Sequence, residues 1–138
     1  MQKTWIIFYF ILIATVSLGL KLYTVDFTVL PSEDTFGYVL RGIAHNNGDF
    51  TEPPRKTLGW SIFISPFFHM TDSNNFLDYV NIIRGLGLGI SIITIVPVYL
   101  LSRKFFDAKY SLCAVGLFAF EPHLNHVSGQ GIPEPLYI

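Results

Sequence analysis

Apolar residues in this chain come in long unbroken runs separated by polar stretches, and the length of each run limits what it can be. The first occupies residues 5–22, "WIIFYFILIATVSLGLKL". Wound as a helix, these residues reach about 27 Å, close to the hydrocarbon thickness of a bilayer. Trp5 and Tyr23 stand at its ends, where amphipathic rings favour the interface. Lys3, with the small residues Ser17 and Gly19, also suits a cleavable signal peptide. The length and aromatic content of the run favour a retained span. A second run, 79–101, is long enough to cross and carries Pro97, which predicts a kink that neighbouring helices tolerate. A third, 110–120, is short and is predicted to lengthen to residue 124, and a fourth opens near residue 135.

Between the first two runs the spacing becomes that of amphipathic helices. Over residues 33–46, Ser32 can cap the first turn, Glu33 and Asp34 sit at the positive end of the helix dipole, and "NNG" at 46–48 supplies a stop. On a helical wheel Phe36, Val39 and Ile43 form one stripe, and Asp34, Tyr38 and Arg41 form the opposite one. Pro53 and Pro54 then break the chain before a second apolar helix at 57–70, too short to span. Both helices are expected to lie on the bilayer surface. The predicted fold is all-α: polytopic transmembrane helices with two interfacial amphipathic helices in the first external loop.

Composition strengthens this reading. Hydrophobic residues make up 51% of the chain and charged residues 14%, too little polar surface to cover a water-facing globule. A formal net charge of −1 gives no basic field for nucleic acid. Cys113, the single cysteine, lies in an apolar run. Lys3 flanks the first span, and Arg103, Lys104 and Lys109 crowd the link between the second and third, so these ends are expected to be cytoplasmic. The expected localisation is a multi-pass membrane protein with a cytoplasmic N-terminus. Residues 23–78 and 121–134 then lie outside, with Glu33, Asp34 and Glu134 on one side of the membrane.

Several residues carry candidate chemistry, each beside a plainer role. Glu33 and Asp34 can face a substrate or merely partner the helix dipole. Arg55 and Lys56, at a helix start beside lipid, can grip a phosphate headgroup or snorkel to water. Arg84, at the outer end of the second span, can reach a phosphate or snorkel likewise. Glu134 opens a span on the active side, where an acid is costly without a task. His123 and His126 have a spacing that two zinc ligands use, without a third ligand in view. "GLGLG" at 85–89 lacks the preceding strand of a dinucleotide site, and Gly85 with Gly89 suits a helix-packing face instead.

The order of these features resembles GT-C-type glycosyltransferases, in the branch of protein mannosyltransferases and aminoarabinose transferases. The resemblance rests on Asp34 and Tyr38 after the first span, "NNGDF" at 46–50, "RKTLGW" at 55–60 and "SGQGIPEPLYI" at 128–138. Two departures stand out: the acidic pair is Glu33–Asp34 with Thr35 following, and the double proline precedes Arg55 and Lys56. The resemblance implies an inverting transfer of a sugar from a polyprenyl-phosphate donor, outside the cytoplasm, to an acceptor protein, glycan or lipid. Asp34 is then the base or metal ligand, assisted by Glu33. Lys56, Arg55, Tyr38, Arg41, Glu134 and Arg84 contact substrate, and a divalent metal such as Mg or Mn is the candidate cofactor. Family members have many more spans, so residues 1–138 are expected to be the N-terminal part of a multi-spanning domain, inactive alone. The alternative expectation is a small non-catalytic accessory or assembly subunit.

Overall fold

The computed structural model describes residues 3–51, 58–71 and 73–137, and among these every regular element is a helix. The first apolar run is a single helix, α1 (Lys3–Thr24). Five further elements follow: α2 (Glu33–Asn46), α3 (Leu58–Phe68), α4 (Phe76–Ile93), α5 (Ile95–Ser102) and α6 (Ala108–Ala119). Two short helices, α7 (Pro122–Ser128) and α8 (Glu134–Tyr137), complete the order. Thr4–Thr24 and Phe76–Ser102 are long and apolar enough to cross a membrane.

The second of these stretches is interrupted at Thr94, between α4 and α5. Pro97 has no N–H for the Ile93 carbonyl one turn back, and the Thr94 hydroxyl donates to the Ile90 carbonyl at 2.8 Å. The helix is thus interrupted three residues before Pro97, and α5 resumes at Ile95. The third run ends earlier than its hydrophobicity suggests. Phe120 terminates α6, and α7 starts afresh because Glu121 accepts from the Leu124 amide with Pro122 in the first turn.

Two cores divide the molecule lengthwise. In one half, Ile95, Val115 and Ala119 are buried, with Phe10, Ile13, Ala14, Val98 and Tyr99 packed against them. The Phe10 and Tyr99 rings meet edge-on at 5.6 Å. Further along, Ser17 Oγ donates to the Ala119 carbonyl at 2.9 Å and Lys21 Nζ to Ser128 Oγ at 3.2 Å. These contacts set the register: α1 and α6 run the same way and α4–α5 the opposite way. The N-terminal end of α1 consequently lies at the same end of the bundle as the 103–107 link, the end where the sequence gathers its cations.

The other half is a helical cap built on the start of α4. Tyr38, Val39, Trp60, Ile64, Phe68, Val80, Ile83, Val127 and Ile132 form its core. Ser32 caps α2 as expected, accepting from the Thr35 amide, and Asn47 closes the helix just before Gly48. The buried stripe of α2 is Thr35, Tyr38, Val39 and Gly42, an i, i+3, i+4, i+7 set turned toward α3 and α4. This corrects the helical wheel. Tyr38 is 8% exposed and belongs to the core, whereas Phe36 is half exposed and packs on Phe76 at 4.9 Å. Inside α3, Pro66 cannot donate to the Ile62 carbonyl, and Ser65 Oγ supplies that bond at 3.1 Å.

The segment 128–133 threads through this cap. Thr35 Oγ1 donates to the Gln130 carbonyl at 2.7 Å and Trp60 Nε1 to the Gly131 carbonyl at 3.1 Å. Gly131 has φ +77°, a conformation that side chains disfavour. The segment presses on α4 at Gly87, where an added Cβ would stand 2.6 Å from the Ser128 carbonyl oxygen. The helix-packing glycine of "GLGLG" is thus Gly87. Gly85 and Gly89, expected to form that face, have open space beside them.

Candidate functional site

A cleft of about 270 Å³ opens where four chain segments converge. Thr24 and Val25 reach it from the end of α1, and Asp26, Val29, Leu30 and Ser32 from the link to α2. Arg84 comes from α4, and His126, Gly129 and Gln130 from the end of α7 and the turn after it. Local chemistry shapes each wall. Asp26 Oδ1 accepts from both the amide and the hydroxyl of Thr28, at 2.8 and 2.7 Å, forming a tight turn directly after α1. The Thr28 hydroxyl and amide hold the Asp26 carboxyl below the usual carboxylate range. Gln130 Nε2 and His126 Nε2 lie 2.9 Å apart and brace the opposite wall.

Arg84 is the one cation among the cleft's lining residues. It is 6% exposed. Its Nη1 donates to Asn81 Oδ1 at 3.2 Å and its Nη2 to the Val29 carbonyl at 2.9 Å. Its buried Nε–H has no acceptor. The sequence placed Arg84 among the substrate contacts, and in the structure it faces the link that leads into α2.

The other predicted residues are distributed unevenly around this cleft. Glu33 and Asp34 are exposed in the first turn of α2, immediately after Ser32 on the cleft wall. Arg41 is half-buried two turns further along α2, and Tyr38 lies in the cap core. Glu134 is exposed at the start of α8 and does not line the cleft. Arg55 and Lys56 lie outside the described residues. No family model, curated protein or solved structure matches the chain. The site therefore has to be read from its own geometry.

Two polar wall residues escaped the sequence reading, Asp26 and Gln130, as did Lys21 about one turn before Thr24 on α1. Asp26 had a local signal, since Asp-x-Thr just past a span predicts a turn with an ionised carboxylate. The same Asp-Phe-Thr turn recurs at Asp49–Thr51, with bonds of 3.0 and 2.6 Å. Lys21 is 2% exposed, and its Nζ donates to Ser128 Oγ. A lysine one turn from a serine inside an apolar helix was the available sign of an inward-facing stripe. As for metal, no three His, Cys, Asp or Glu residues gather among the described residues. The donor set does not fit a metal ion, and no chemical step is assigned to one.

Proposed function

We propose that this chain is part of a membrane glycosyltransferase that takes a sugar from a polyprenyl-phosphate carrier. Asp34 serves as the base that activates the acceptor, and Glu33 assists. One observation carries the reading: two exposed carboxylates in the first turn of α2 follow directly on the wall of a cleft anchored by a buried arginine, at one end of helices long enough to span. An exposed carboxylate can take the proton of an acceptor hydroxyl or amide, which suits a base. Departure of the carrier phosphate on the far side of the sugar calls for cations. Lys56, Arg55 and Arg41 supply them in this reading. The acceptor is a protein, glycan or lipid outside the cytoplasm, and inversion follows from attack opposite the departing phosphate.

A non-catalytic accessory role is favoured by one separate feature, the open face at Gly85 and Gly89, which suits docking of another helix. Substitution separates the two readings. In membranes carrying the complete gene product, transfer of labelled sugar from a polyprenyl-phosphate donor is expected to fall at least about 100-fold in Asp34→Asn, the scale of a lost general base. Transfer at the unsubstituted rate would remove Asp34 from the chemistry, and absence of transfer in the parent protein would favour the accessory role.

A further inference from the structure

The walls of the cleft carry opposite charges, and this constrains its ligand independently of any sugar transfer. On one side stands the Arg84 guanidinium, more than nine-tenths buried and held by Asn81 Oδ1 and the Val29 carbonyl. On the other side stands Asp26, whose Oδ1 is fully engaged by Thr28 in a fixed turn. A simple anion would gain Arg84 and meet repulsion from Asp26, and a simple cation would meet the converse. A ligand bearing both charges a few bonds apart satisfies both walls. Ser32, His126 and Gln130 add hydrogen-bonding groups around it.

The depth of the cleft names the setting. Thr24, the last residue of α1, and Arg84, in the middle of α4, line the same cleft and so lie at the same level. Below Arg84, residues 85–102 number about 18 and extend about 27 Å, the hydrocarbon thickness. The cleft then sits at headgroup level, with the first turns of α4 standing clear of the lipid inside the cap. Val29 and Leu30 on its rim are exposed apolar residues, Leu30 at 76%, suited to contact with acyl chains beneath a headgroup.

We propose that this cleft binds a zwitterionic aminophosphate group of the phosphoethanolamine class, with the phosphate on Arg84 and the primary ammonium on Asp26. Two sources share this chemistry: the headgroup of phosphatidylethanolamine and free phosphoethanolamine.

Native mass spectrometry of the detergent-solubilised protein, offered equal amounts of phosphatidylethanolamine, phosphatidylcholine and phosphatidylglycerol, tests the assignment. Phosphatidylcholine cannot donate hydrogen bonds from its ammonium, and phosphatidylglycerol has no cation. Phosphatidylethanolamine adducts are expected to exceed both by about tenfold, the equivalent of one charge-assisted contact. Arg84→Gln should lose retention of all three lipids. Asp26→Asn keeps the oxygen that accepts from Thr28, so it tests the ammonium wall without unmaking the turn, and it should abolish the preference over phosphatidylglycerol. Displacement of the lipid by free phosphoethanolamine would assign the site to the soluble compound, and retention of the lipid at that concentration would assign it to the membrane. Equal retention of the three lipids by the parent protein, or an undiminished preference in Asp26→Asn, would overturn the proposal.

Discussion

A methyl group added at Gly87 would stand 2.6 Å from a backbone carbonyl, whereas one added at Gly85 would meet nothing within 4 Å. The two positions are two residues apart, yet they should respond oppositely. Gly87→Ala forces the Ser128 turn away from α4 and is expected to cost about 1–3 kcal/mol, as overpacking does. Gly85→Ala relieves only chain entropy in a helix and should be neutral or stabilising by about 0.5–1 kcal/mol. Thermal unfolding in detergent, followed by circular dichroism, compares them directly; equal midpoints would refute the close approach. At this scale the sequence was legible wherever the cause was local. The Ser32 cap, the Asn-Gly stop and the interruption at Thr94 before Pro97 each depend on residues within one turn. The roles of Gly87, Tyr38 and Asp26 depend on what packs against them, and no spacing rule contains that partner.

Helices were legible from length and period, and their faces less so. A stripe of three apolar residues at 36, 39 and 43 fits the wheel of α2 as well as the stripe that is buried, Thr35, Tyr38, Val39 and Gly42. The small Gly42 and the hydroxyl of Thr35 decide the matter, since one admits α3 closely and the other bonds to the Gln130 carbonyl. Trp60 makes the matching bond from α3. Trp60→Phe keeps the ring packing and deletes that donor, leaving a buried carbonyl at Gly131. The expected cost is about 1 kcal/mol. Hydrogen exchange should accelerate in α2 and α3 while α1 and α6 keep their protection; uniform acceleration would mean that the cap and the bundle are one cooperative unit.

For the whole molecule, the register of α1, α4–α5 and α6 separates the chain into a cation-bearing end and a cap-bearing end. Spans, loops and the charge asymmetry suggested this division before any contact was known, because hydropathy and lysine or arginine placement act over whole segments. What the sequence left open was the meeting of residues 24–32, 84 and 126–130, which no pattern joins. If the two ends face opposite sides of a membrane, single cysteines at Asn47 and Lys104, in a Cys113→Ser background, will react with an impermeant maleimide from opposite sides of sealed vesicles. Labelling of both from one side would rule out a crossing by α4–α5.

The passage from Ser128 to Pro133 supplies acceptors to α2 and α3 from a part of the polypeptide made long after them. During synthesis the first three helices therefore leave the ribosome with Thr35 and Trp60 still lacking their final partners. The cap's hydrogen bonds to Gln130 and Gly131 can therefore close only after residues 130 and 131 have been made.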